Sequence, residues 1–325
     1  MLNVFGVSLF FRTFAPKFCD MWLVLAFMSA ALLGCYDSFK KQALKDNAVI
    51  PVLFLNTLFS SLIFLPFIIL SHSGTTLDGS VFHVASGGWE VHKYVVLKAV
   101  IVLSSWLLGY FGMKHLPLTI VGPINATRPV MVLVGALLVF GERLNVWQWI
   151  GVALAVASFL MLSRSGKKEG IDFKHDHWIY MIVGAAALGA VSGLYDKYLM
   201  APESEGGVGL DRMLVQSWYN IYQCAMMLAM LLLLWWPKHK ETTPFHWAWS
   251  ILGVSLFLST ADFLYFYSLS LPSAMISIVS MVRRGSVVVS FLFGALFFHE
   301  KNLKAKAFDL ALVLLGMVFL YIGSR

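Results

Sequence analysis

The chain has 325 residues, 59% hydrophobic and 13% charged, with a formal net charge of +7 and a mean hydropathy of +0.78. A soluble domain is about 45–50% apolar and about 25% charged, so this composition excludes an ordinary water-soluble protein and requires much of the chain to face lipid. The 24 Lys and Arg are scattered over short loops, with no basic arm and no stripe of interleaved aromatics, which argues against a nucleic-acid partner.

In chain order, residues 1–20 hold one short apolar run at 4–11, with no basic residue before it and no small-residue cleavage site. They do not read as a signal peptide. The expectation is either a short interfacial helix or a doubtful extension ahead of an alternative start at Met21. Crossing about 30 Å of hydrocarbon takes about 20 mainly apolar residues. On that rule, spans are expected near 22–43, 47–70, 94–114, 117–140 and 145–163. A polar linker at 164–177 follows, then spans near 178–199, 212–236, 247–270, 272–298 and 304–323. Pro117 and Pro272 are placed to open the helix after a tight hairpin. The fold class is therefore an all-α integral membrane protein of about ten transmembrane helices. Cys19, Cys35 and Cys224 show no paired spacing, and the last two fall in apolar segments where a reduced, buried thiol is expected.

The spans repeat. Gly34-Cys35-Tyr36-Asp37 in span one matches Gly193-Leu194-Tyr195-Asp196 in span six, 159 residues later. Leu133-Val134-Gly135-Ala136-Leu137 in span four matches Leu292-Phe293-Gly294-Ala295-Leu296 in span nine at the same shift. Each of the latter runs ends in a glutamate, Glu142 and Glu300. Two matches in one register, with the glutamates at a shift one residue shorter, imply duplication of a five-helix unit, with one copy at 21–163 and the other at 178–325. An odd number of spans makes the second copy enter the membrane from the opposite side. Such inverted repeats are the arrangement of carriers that alternate access around a central site.

These residues also carry a family resemblance. Gly141-Glu142-Arg143 closes a span that begins Pro117-Leu118-Thr119, and His299-Glu300-Lys301 follows Leu271-Pro272-Ser273 in the same way. The pair resembles the EamA-type repeats of the drug/metabolite transporter superfamily, over nearly the whole chain from about Met21. The resemblance implies a ten-helix carrier that exports or exchanges a small metabolite. The chain departs from the family at Arg128-Pro129, where many members have Glu-Pro. The triose-phosphate branch is similar in holding phosphate with an adjacent basic pair on its ninth helix, which here corresponds to Arg283 and Arg284 alone.

Ionisable residues deep in a span cost about 2.5–3.5 kcal/mol on insertion scales, so they face a cavity or a partner. The deepest by position are Arg128, Asp262, Arg283 and Arg284. Two adjacent guanidiniums point about 100° apart on a helix, so both cannot share one carboxylate. Under the 159-residue shift Arg128 falls on Val287, close to Arg284, so the two copies would present guanidiniums to one central cavity. An arginine fork binds carboxylate or phosphate bidentately. Arg283, Arg284 and Arg128 are thus candidate substrate ligands, with Asn125, Tyr265 and Tyr110 lining the cavity. Asn125 lies between Pro123 and Pro129, whose missing N–H groups free backbone carbonyls. Asp262, Asp37 and Asp196 are candidate coupling carboxylates. The competing reading is a set of internal ion pairs, Asp262 with Arg283 or Arg284, Asp37 with Lys40 or Lys41, and Asp196 with Lys197. Lys98, Lys114 and Asp309 are expected near span ends, within reach of the interface.

Two readings of function stay open: a secondary carrier of a small polar, anionic metabolite, and a proton-coupled exporter of zwitterionic or cationic amphiphiles such as amino acids or drugs, with Asp262 as coupling residue. The expected partners are a small-molecule substrate, the lipid bilayer, and a coupling proton or counter-substrate. No cofactor is expected: HExxH, GxSxG and GxxxxGK[ST] motifs are absent, and His175-x-His177 alone is a poor metal site. A membrane-embedded enzyme or a receptor is the rival class, disfavoured because the deep residues are mainly basic and a receptor needs no inverted duplication. Counting loop cations favours termini outside, whereas the family resemblance implies termini inside. The expected location is the inner, cytoplasmic membrane.

Overall fold

The computed structural model describes residues 21–73, 77, 79–131, 145–167, 173–271, 279, 282–298 and 303–323. The 1–20 extension, the Leu133–Leu137 motif, Glu142, Arg143, Glu300 and Pro272 lie outside them. Among the described residues there are ten α-helices: α1 (Met21–Leu44), α2 (Val49–His72), α3 (Trp89–His115), α4 (Leu118–Ala126), α5 (Val146–Lys167), α6 (His177–Met200), α7 (Arg212–Met230), α8 (Ser250–Ser270), α9 (Ser286–Leu296) and α10 (Leu303–Gly323). They fall one to one on the ten spans read from the sequence, and the chain is an all-α, multi-pass membrane protein. Seven helices are long and apolar enough to cross by themselves: α1, α2, α3, α6, α7 with its extension, α8 and α10.

Local chemistry sets several helix ends. Asp211 accepts a hydrogen bond from the Leu214 N–H at 2.8 Å and so satisfies one of the orphan donors at the start of α7. At the other end α7 loosens into a π turn at Leu231–Trp235 and a tight turn at Trp236–Lys238, where Pro237 removes the next amide donor. Lys41 donates to the Met113 and Leu116 carbonyls at 2.7 and 2.6 Å, placing a cation on the negative end of α3.

The helices pair across the chain. α1 packs along α8, α3 along α6, α2 along α7 and α5 along α10. Exchanging the first five helices for the last five turns α1–α8 into α6–α3, α2–α8 into α7–α3, and α1–α9 into α6–α4. All of these contacts exist, and α2–α7, α4–α9 and α5–α10 map onto themselves. Close approach of α1 to α9 depends on Gly34, where an added Cβ would lie 2.4 Å from the Val289 Cβ and 2.8 Å from the Ser286 carbonyl oxygen. The apolar core includes Tyr36, Leu53, Tyr110, Ile124 and Ile182 in one cluster and Trp22, Phe64, Leu214, Tyr265 and Phe266 in another.

Candidate functional site

Two helix breaks lie at the centre of the site. α4 ends at Ala126, Thr127 turns, and the chain resumes helically at 128–131. Pro129 has no amide hydrogen to bond backwards, and the Thr127 amide and hydroxyl both fall back on the Ile124 carbonyl, at 3.1 and 2.7 Å. The second break is at Gly285, whose amide bonds Val282 O at 2.9 Å before α9 starts at Ser286. Arg128 follows the first break directly, and Arg283 and Arg284 precede the second. Broken helices at membrane depth persist where they line a polar cavity.

Around these breaks are three ion pairs. Asp262 of α8 binds Arg283, accepts a second bond from the Tyr219 hydroxyl of α7 at 2.8 Å, and the Arg283 guanidinium stacks 4.2 Å over the Tyr265 ring. Asp196 of α6 pairs with Lys98 of α3, whose ammonium lies 5.1 Å over the Tyr219 ring and 5.3 Å over Phe266. Asp37 of α1 pairs with Lys40 at 2.9 Å and accepts from Ser290 of α9 at 3.2 Å. Lys40 in turn lies 4.3 Å over the Tyr36 ring and 5.2 Å over the Tyr110 ring, and the Tyr36 hydroxyl donates to Tyr110 at 3.4 Å.

Two guanidiniums remain. Arg128 donates to the neutral Asn125 side-chain oxygen at 2.9 Å, and its Nε has no hydrogen-bond partner among the described residues. Arg284 stands in the electrostatic field of Arg128, Arg283 and Asp37, and forms no ion pair among the described residues. Arg128 reaches its place across Gly189 of α6, where an added Cβ would sit 2.7 Å from the guanidinium carbon. The arrangement therefore sets two unneutralised forks, one from each broken helix, beside three carboxylates that are already engaged.

Of the candidates read from the sequence, the structure brings Arg128 to Asn125, and Arg283 to Asp262 and Tyr265. Tyr110 belongs to the Lys40 group rather than with the arginines. Three placements differ from expectation. Lys98, expected near a span end, is 2% exposed. α3 begins at Trp89 rather than near 94, which puts Lys98 about 14 Å into the helix. Asp196 takes this cross-helix lysine as a partner. Asp309, also expected near an end, is 1% exposed because its face of α10 packs along α5. Tyr219, Lys98 and Gly189 are site residues that position alone did not reveal, because each acts across a helix contact.

Comparison with known proteins agrees with this architecture. Residues 20–164 match the EamA-like transporter family. The curated protein named "Uncharacterized transporter in cobO 3'region" from Sinorhizobium sp is 29% identical over 87 residues, 24% of this chain. The chain spans 62% of that relative's length. A solved crystal structure superposes with a TM-score of 0.63 at 12% identity, covering 93% of this chain and 97% of that one. An identity that low carries the fold alone.

Proposed function

We propose that this chain, whose residues 20–164 match the EamA-like transporter family, carries a small, doubly charged anion across the membrane by alternating access. The observation behind this reading is the charge count at the two breaks. Among the described residues, Asp37, Asp196 and Asp262 are each taken by Lys40, Lys98 and Arg283, which leaves Arg128 and Arg284. Each uncompensated arginine at membrane depth costs about 2.5–3.5 kcal/mol on insertion scales. A phosphate monoester or a dicarboxylate would neutralise both and accept bidentate bonds from each fork. The flanking N-terminus of α9 adds a favourable dipole.

The pairing of α1 with α8 and of α3 with α6 supports two inverted five-helix units, 21–163 and 178–325, rocking about the site. The substrate would bind with Arg284, Arg128 and Arg283, positioned by Asn125 and Tyr265, with Tyr110 in the adjoining Lys40 group. Export or exchange against a counter-substrate would drive the cycle, in the inner membrane. The rival reading, a cationic or zwitterionic amphiphile drawn to Asp262, is disfavoured because that carboxylate already binds Arg283 and Tyr219.

The test is a thermal-shift screen of purified protein against anions, zwitterions and cations, since a ligand that binds only the folded state raises its stability by mass action. Stabilisation by phosphate esters or dicarboxylates, lost in Arg284→Gln, is the expected result, followed by flux of the same compound in liposomes. Stabilisation by cations alone would overturn the anion reading.

A further inference from the structure

The α2–α7–α8 interface buries more hydrogen-bonding groups than the arginine site employs. On α7, Gln216, Tyr219, Asn220 and Gln223 recur at helical spacing and so share one face. Ser255, Ser259 and Asp262 share a face of α8, and Asn56 and Ser60 a face of α2; all of these are buried. α2 and α8 run side by side in constant register. The Asn47 amide exchanges two bonds with the His246 backbone, at 2.7 and 2.9 Å, and Ser259 donates to Ser60 at 3.1 Å; both pairs are 199 residues apart. The same register sets Asn56 level with Ser255. α7 runs the opposite way, since Arg212 at its start holds the Val81 carbonyl of the α2–α3 loop. Gln223 is thereby carried towards the Asn56 level, while Tyr219 reaches Asp262.

Within this seam the side-chain amides of Asn56 and Gln223 are 0% exposed. Neither nitrogen nor oxygen of either amide has a protein hydrogen-bond partner among the described residues, and the Gln216 Oε1 and Ser217 Oγ share that condition. A stranded buried polar atom costs about 1–3 kcal/mol, so six of them on two neighbouring helices point to a ligand. The groups are neutral, both donating and accepting, and the flanking side chains are small serines; water is the ligand that such a lining holds. The seam runs from the start of α8 at Ser250 to Asp262, about 18 Å at 1.5 Å per residue.

We propose that this seam is a water-filled file, separate from the arginine site, through which protons reach the Asp262 carboxylate from the face that carries Asn47. It builds on the transporter reading but not on its anion site. Asp262 is faced by Arg283 from the turn before α9, by Tyr219 from α7, by the Lys98–Asp196 pair from α3 and α6, and by Tyr36 from α1. When the Arg283 ion pair opens, a hydronium in the file transfers one proton to an Asp262 oxygen. One O–H bond breaks on the hydronium, one forms on the carboxyl, and the guanidinium keeps its protons. Tyr219, already bonded to Asp262, positions the carboxyl at the end of the file.

The wild-type protein tests the file directly. Met227 lies one turn beyond Gln223 on the same face of α7 and is 0% exposed; Met113 of α3, outside the seam, is 1% exposed. Hydroxyl radicals generated by radiolysis oxidise side chains in contact with water. Met227 is expected to be oxidised about tenfold faster than Met113, because internal water stands beside it. Equal protection of the two would overturn the proposal, and no substrate or anion site enters that readout. The proton role is read from decay of an imposed pH gradient in liposomes with inorganic phosphate on both sides and the potential clamped by potassium and valinomycin. Wild type is expected to dissipate the gradient, and the Asn56→Leu/Gln223→Leu double variant about tenfold more slowly, with unchanged or raised thermal stability. Decay at the wild-type rate in the folded double variant, or wild type no faster than empty liposomes, would sink the proton role.

Discussion

Arg128 occupies its position because residue 189 is glycine: a Cβ there would lie 2.7 Å from the Arg128 guanidinium carbon and 2.8 Å from one of its terminal nitrogens. The clash falls on the mobile end of a long side chain, so the fold can yield where the site cannot. Gly189→Ala is expected to leave the unfolding temperature within a few degrees of wild type while weakening anion binding about tenfold, the value of one lost charge-assisted bond. Titration of the stabilising anion by thermal shift checks it. Binding at wild-type strength would show that Arg128 does not meet the substrate.

Adjacent arginines should respond in opposite ways. Arg283→Gln leaves Asp262 buried without its cation, a change that costs about 3–5 kcal/mol. Arg284→Gln removes an uncompensated charge and should leave stability equal or higher while reducing anion binding at least about tenfold. Thermal unfolding in detergent, run with and without ligand, separates the two. The double variant Asp262→Asn/Arg283→Gln should recover most of the stability lost in Arg283→Gln.

The Lys98–Asp196 pair invites the same test between α3 and α6. Lys98→Met should destabilise by about 3–5 kcal/mol, because the Asp196 carboxylate stays buried without its cation. Adding Asp196→Asn should restore most of it, which a double-mutant cycle in thermal unfolding would measure. Additive losses would mean that the two side chains contribute independently.

The repeated glycines should diverge. Gly34→Ala drives a methyl group into Val289 and the Ser286 carbonyl, an overpacking cost of about 1–3 kcal/mol. Gly193 has nothing within 4 Å of an added Cβ, so Gly193→Ala should be neutral or stabilise by about 0.4–1 kcal/mol through reduced chain entropy in the unfolded state. Unfolding midpoints of the two variants decide it.

That divergence marks what the sequence could and could not reveal. Spans were legible because hydrophobic length is a local property, and the ten helices coincide with the apolar runs. Arg283, Arg284, Arg128 and Asp262 stood out because charge at membrane depth is costly wherever it occurs. Partner choice was not legible. Asp196 has Lys197 beside it in sequence, yet it binds Lys98, 98 residues away. A start of α3 misjudged by five residues was enough to disguise Lys98 as an interfacial residue. Gly34 and Gly193 sit in matching motifs, but only the helix contact made by α9 tells them apart. Such properties belong to pairs of helices, and a single chain pattern does not contain them.

The exchanged packing of α1 on α8 and α3 on α6 has a bearing on biogenesis. Neither the first five helices nor the last five contain a complete set of neighbours, so α1 emerges from the ribosome more than two hundred residues before the surface that covers it. Until then Asp37 and Lys40 have each other, but Lys98 waits for α6, and Arg128 has the neutral Asn125. The early helices must therefore be held in the bilayer, at the insertion machinery or by lipid headgroups, as a set of unmatched charges. Severing the chain between α5 and α6 would turn folding into an assembly reaction, dependent on how often two fragments meet.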